Sequence, residues 1–240
     1  MKSLKLLISI FLVCPLFAVA QTVEVKSLQK VDLPQPAFHP VLTDGGSKML
    51  TTAADYSGLQ EVDLSTGKIT VISKEEKAGY NLQSSKDKKI REKIQAQPVY
   101  AVSENLKISI YGKGGKRVLT PNGDDCRYIW PSVSPDGTKL LYTVSGKGTY
   151  VCGIDGSNPV ALGILRAPEW VDNEWVVGMN NVSTNRIVKS SVDIVKADGS
   201  CRQTLTPESI VATYPSAAGS RVAFCTESGD VYVMEISINK

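Results

Sequence analysis

The feature that most restricts what this chain can fold into is an internal repeat. Its clearest copy, YIWPSVSPDGTKLLYTVSGKGTYVCGIDGSNPVALG from Tyr128 to Gly163, reads as four short strands separated by turn residues. Tyr128 to Ser134 and Lys139 to Val144 are joined by Ser134-Pro135-Asp136-Gly137, in which Pro presets φ, Asp accepts backbone hydrogen bonds and Gly takes a positive φ. Thr149 to Ile154 is the third strand. Asp155-Gly156, residues a tight hairpin demands, then leads to a fourth at Pro159 to Gly163.

The same register recurs elsewhere. HPVLTDGGSKMLTT around Pro40 matches WPSVSPDGTKLLYT, and VDLSTGKITVIS follows as its hairpin. YNLQSSKDKKI around Asn81 keeps the register without Asp-Gly, with LKISIYGKGGKRVLT as hairpin. APEWVDNEWVVG around Pro168 precedes VDIVKADGSCRQTLT, and YPSAAGSRVAFCTESGDVYVMEI begins the last copy at Pro215. Anchors at 40, 81, 131, 168 and 215 recur every ~40 to 50 residues, the length of a four-stranded propeller blade. A lone blade exposes two apolar faces, so blades pack around an axis to bury them. The expected fold class is therefore all-β, a β-propeller of five four-stranded blades forming a single domain over 21–240. The fifth copy ends after its third strand, Asp230 to Ile236, whereas Thr22 to Leu33 alternates like a strand and belongs to no copy. This N-terminal strand is expected to complete the last blade and close the ring, removing an open edge.

The first twenty residues combine Lys2 and Lys5, an apolar run from Leu6 through Phe17, and the small side chains Ala18 and Ala20. That is the pattern of a secretory signal peptide, expected to be cleaved after Ala20. The run is shorter than the ~20 residues a membrane span requires, so no stable span is expected after cleavage. Val13 before Cys14 disfavours lipid attachment. A periplasmic or secreted location follows. Loss of Lys2 and Lys5 brings the formal charge of +3 close to neutral, which argues against nucleic acid as partner. Cys126, Cys152, Cys201 and Cys225 allow three disulfide pairings that sequence cannot rank, and buried free thiols are slightly favoured.

PSVSPDGTKLLYT, the Asp-Gly turns and the Leu-Thr strand endings at Leu119-Thr120 and Leu205-Thr206 resemble the TolB-type, WD-repeat-like propeller repeat. They are also similar to the propeller domain of prolyl-oligopeptidase relatives. The resemblance covers about residues 35 to 240 and implies an exported propeller that holds other molecules. It transfers no binding residues, because the repeat motif is a folding signature.

Catalytic chemistry is sparse. His39 is the sole histidine and no G-x-S-x-G elbow occurs, so no Ser-His-acid hydrolase is expected. Scattered cysteines and one histidine make no metal site, and no cofactor is expected. Gly112-Lys113-Gly114-Gly115-Lys116 lacks the Lys-Ser/Thr ending of a phosphate loop and reads as a hairpin. Glycosidase chemistry requires paired carboxylates. The inner strands offer only Glu169, with Asp124 and Asp125 in the loop entering the third blade. The residues before the anchors, His39, Tyr80, Trp130, Ala167 and Tyr214, occupy equivalent places around the axis. Four of these put a ring near one channel entrance, where flat faces stack on a sugar or grip an extended peptide. The competing reading, that they wedge between blades as core, carries about twice the weight on average aromatic burial. The expected function is a non-enzymatic envelope module binding protein or peptide at the mouth through His39, Tyr80, Trp130, Tyr214, Asp124 and Asp125. The alternatives are a glycan-binding or glycoside-hydrolase-like propeller and a structural envelope component.

Overall fold

The computed structural model describes residues 21–94, 97–183 and 187–239. The leader expected over residues 1–20 lies outside them. Among the described residues no helix is long and apolar enough to cross a membrane.

The chain is a five-bladed β-propeller. It opens with β1 (Thr22–Lys30) and continues into blade 1, formed by β2 (Phe38–Thr43), β3 (Lys48–Thr52), β4 (Gln60–Asp63) and β5 (Ile69–Val71). After a short helix α1 (Lys88–Lys93), blade 2 comprises β6 (Tyr100–Glu104), β7 (Lys107–Gly112) and β8 (Gly115–Leu119). Blade 3 is β9 (Tyr128–Val133), β10 (Lys139–Val144), β11 (Gly148–Gly153) and β12 (Val160–Gly163). Blade 4 is β13 (Arg166–Trp170), β14 (Trp175–Ser183), β15 (Ile187–Lys196) and β16 (Gln203–Thr204). Blade 5 consists of β17 (Thr213–Ala218), β18 (Arg221–Cys225) and β19 (Val231–Asn239), with β1 as its outer strand. All pairings are antiparallel, as short turns require.

The expected ring closure is present. β1 pairs with β19 from Thr22 opposite Asn239 to Lys30 opposite Tyr232, with one bulge between Val25 and Ser27. Val23 is buried and joins Trp175, Phe224 and Ile236 in the core between blades 4 and 5. Glu24 beside it is exposed, the alternation of a strand covered on one face. Gln203 of blade 4 clasps the Val23 backbone, accepting from its N–H at 3.2 Å and donating to its carbonyl.

Blade 2 departs from the expected four strands. The segment around Asn81, matched to an inner strand by register, forms a 3-10 turn at Leu82–Ser84 followed by α1. Lys86 to Lys93 holds that helix. Its residues are good helix formers without alternating β-branched positions, and Asp87 caps it by accepting from the backbone N–H groups of Lys89 and Ile90. The insertion packs on blade 1. Leu82 and Ile90 are buried with Leu50 and Leu59, Lys93 pairs with the buried Glu61 at 2.8 Å, and the Gly79 N–H donates to the Tyr56 carbonyl at 3.0 Å. A Cβ on Gly79 would lie 2.3 Å from Thr52 Cγ2, so only glycine permits this approach.

Turns at the other end of the ring repeat one device. Asp63, Asp136, Asp155 and Asp198 each accept, through Oδ1, from the backbone N–H and hydroxyl of the Ser or Thr two residues later. These bonds hold the Asp63 and Asp136 carboxyls down at about 2. Asp136 thereby serves the turn. The four cysteines described are free thiols, buried at Cys126, Cys152 and Cys225 and exposed at Cys201.

Closure carries the first prediction. Val23→Ala is expected to lower stability by about 2 kcal/mol, measured by urea denaturation, whereas Glu24→Ala on the exposed face should change it by less than about 0.5 kcal/mol.

Candidate binding mouth of the channel

Each inner strand of blades 1, 3, 4 and 5 carries an X-Pro pair, and in each the residue before proline has a positive φ: His39 at 51°, Trp130 at 51°, Ala167 at 43° and Tyr214 at 49°. The ladder slips by one residue at all four places, for example between Phe38 and Val41 opposite Thr52 and Leu50. These are β-bulges. Proline supplies no N–H to a ladder, and a bulge on an edge strand is where a sheet tolerates it. Left-handed φ at a non-glycine residue costs about 1–3 kcal/mol, so the four-fold recurrence shows that the surrounding ring enforces it. A bulge re-aims a side chain, and the four bulges occupy equivalent places on their inner strands. Ahead of blade 2 Asn81 is left-handed at φ 51°, but it precedes a 3-10 turn, so Tyr80 belongs to the insertion and not to an equivalent strand position.

Three of the six site residues singled out from the sequence converge. His39 stacks on Tyr56 at 3.7 Å and 11°, and meets Tyr214 edge-on at 4.8 Å. Tyr56 meets Tyr80 edge-on at 5.4 Å. A chain of rings thus runs from the insertion, through blade 1, to blade 5. Tyr80 is 58% exposed, Trp130 is 39% exposed, and His39, Tyr56 and Tyr214 are half-buried. The buried large aromatics are Tyr128, Tyr142, Trp170, Trp175 and Phe224. Trp130 stands on blade 3 without a ring contact among the described residues. Tyr56 was not singled out from the sequence: it sits in the turn between β3 and β4, and only the fold brings that turn over His39.

Asp124 and Asp125 are exposed in the loop before β9. The Asp124 carboxylate accepts from the Thr120 hydroxyl at 2.7 Å and its carbonyl from Lys107, so it is engaged in its own loop. No contact joins either aspartate to the rings among the described residues. No three His, Cys, Asp or Glu side chains come together as a metal site among them either.

The protonation of His39 follows from its partners. Thr52 Oγ1 donates its one proton to the Ala53 carbonyl at 2.9 Å, so in its 3.0 Å contact with His39 Nδ1 it accepts. The ring is therefore protonated on Nδ1, leaving Nε2 as the acceptor. Burial lowers the His39 pKa from 6.5 and, with the neighbouring Tyr214 and Tyr80, pushes the Tyr56 phenol up to about 12. Both groups are neutral near pH 7.

Glu169 lies two residues below the Ala167 bulge, on β13, between the buried Pro168 and Trp170. Its side chain is exposed to solvent yet surrounded by the ring, and this poor hydration raises its carboxyl to about 7. Among the described residues it has no hydrogen bond or ion pair. The connector into β13 is fixed by Arg202, which donates to the Leu162 and Ile164 carbonyls while paired with the buried Asp193. A separate groove of about 350 Å³ lies on the side of the ring between blades 5 and 1, where Arg221 is already paired with Glu235, and Lys30 with Asp230.

Two predictions follow from these protonation states. His39, as the sole histidine, gives a single imidazole titration by NMR, expected below 6.5 and rising toward it in Tyr56→Ala as the ring rehydrates. For Glu169 the folded pKa lies above the unfolded value of 4.5, so ionisation weakens the fold as pH rises from 4.5 to about 7. Glu169→Gln should therefore gain stability relative to the parent at about pH 8 and little at about pH 4, by urea denaturation.

No family model matches the sequence, and no curated protein matches it significantly. Among solved structures, a TolB-assigned protein of Agrobacterium tumefaciens aligns at 12% identity over 92% of this chain and 99% of its own, with a TM-score of 0.42. TolB of Acinetobacter baumannii aligns at 17% identity over 84% of this chain and 54% of its own, with a TM-score of 0.39. An oligogalacturonate lyase of Vibrio parahaemolyticus aligns at 11% identity over 85% and 79%, with a TM-score of 0.40. These alignments are too loose to carry an argument about function. The strand order and the closure of the chain on itself establish it as a five-bladed β-propeller, similar in its repeat motif to the TolB type.

Proposed function

We propose that this chain is a non-enzymatic binding module of the cell envelope or the extracellular space that recognises an extended protein or peptide segment at the channel mouth. The observation that carries the reading is the chain of rings Tyr80, Tyr56, His39 and Tyr214, of which His39 and Tyr214 stand on strained bulges of the inner strands. Exposed Leu106, Trp130, Ile164 and Val182 lie at this same end, where the inner strands begin. Clustered exposed apolar side chains mark interaction sites on soluble proteins. Rings with polar edges suit an extended peptide, whose backbone needs hydrogen bonds while its side chains need apolar contact.

A second reading, glycan binding, draws on the exposed face of Trp130. Hydrolysis of glycans by paired carboxylates has little support, because the inner strands β2, β9, β13 and β17 hold one carboxylate, Glu169, and Asp124 is engaged in its loop. The two readings separate by experiment. In cross-linking pull-downs from envelope extract, a specific partner captured by the parent protein is expected to be lost in the Tyr80→Ala, Trp130→Ala double variant, and a glycan array should show no binding. Glycan binding abolished by Trp130→Ala, with no protein captured, favours the second reading.

A further inference from the structure

The deepest unexplained group in the channel is Glu169. Protein covers both faces of an inner strand, so the water that reaches one comes through the axial channel. Glu169 is exposed while Pro168 and Trp170 on either side are buried, which assigns its side chain to that channel. The residues after the other three prolines, Val41, Ser132 and Ser216, stand at the same depth. Ser216 Oγ accepts from the Leu42 N–H at 3.0 Å, across the junction of blades 5 and 1. Ser132 Oγ, on the neighbouring blade 3, is buried without a partner. Of the four residues that follow the prolines, one therefore offers a carboxylate and one an unsatisfied hydroxyl.

The rim above is uneven in a matching way. Of the four bulge residues, blades 3 and 5 present Trp130 and Tyr214, whereas blade 4 between them presents Ala167. The small side chain leaves a notch between two rings, directly up the strand from Glu169. Ring faces attract cations, and a poorly hydrated carboxylate gains more from a cationic partner than an exposed one does. Arg166, exposed at the rim on the same strand, makes no ion pair with Glu169. Resting on the mouth reading above, we infer that Glu169 anchors a lysine or arginine side chain of an extended peptide that enters the channel over Ala167, between Trp130 and Tyr214.

A positional-scanning library of fluorescein-labelled decapeptides, read by anisotropy against the parent protein, Glu169→Gln and Ala167→Tyr, tests this. Glutamine is isosteric with the residue it replaces, and tyrosine already occupies the equivalent left-handed position at Tyr214, so both variants keep the fold. The parent is expected to select Lys or Arg over norleucine or Glu at one position by about tenfold or more, the size of a hydrogen bond to a charged group. Glu169→Gln should still bind peptides but lose that selection, and Ala167→Tyr should lose binding of the selected peptides. Peptide binding without a basic preference, selection of acidic residues, or a basic preference that survives Glu169→Gln each overturns the role of Glu169 while leaving the mouth intact. A parent protein that binds no peptide overturns the mouth reading as well.

Discussion

The structure depends on the pairing of its first strand with its last. Each blade has two apolar faces, and a ring is the arrangement that covers both on every blade. The ring holds only if its final gap is sealed, and here the seal is hydrogen bonding along β1 and β19. Without it, β19 would be a long unpaired edge and Val23 would leave the Trp175 and Phe224 core open. The contacts that seal the ring are also the most distant in sequence, so ring formation awaits both ends of the chain and is slow to reward the loop entropy it costs.

Closure gives the inner strands their odd backbone. A non-glycine residue in the left-handed region, followed by proline, does not persist in a free strand. Four such residues recur at one level because neighbouring blades fix the chain on both sides of each bulge. Rigid surroundings thus sustain local strain at His39, Trp130 and Tyr214. Stability made along the blades is spent at the axis, where side chains meet solvent.

Much of this architecture was legible in the sequence, for a definable reason. The turn chemistry of Ser134-Pro135-Asp136-Gly137 and its relatives is local, and repetition turned weak local signals into a ring. The Thr22 to Leu33 strand was placed by what the fifth copy lacked. The Asn81 copy misled because its register was matched and its composition was not weighed: KDKKIREK, with Asp87 ahead of it, carries a helix cap and helix formers. The recurrent prolines served only as repeat anchors, although proline within a strand needs a bulge or an edge. Tyr56 was invisible because its place over His39 depends on how one turn folds across another strand. That Glu169 has no partner among the described residues likewise depends on blades distant in sequence.

The helical insertion between blades 1 and 2 has a consequence for orientation. A perfect ring of five equal blades would present any incoming chain with five equivalent docking angles and no preferred one. Replacing one inner strand by a wedge bearing Tyr80, and one bulky rim residue by Ala167, abolishes that degeneracy. The entrance acquires a polarity, a ringed side and an open side, so a segment bound there as proposed would be read in one rotational setting. Asymmetry, more than shape, is what lets a repetitive scaffold address a single sequence.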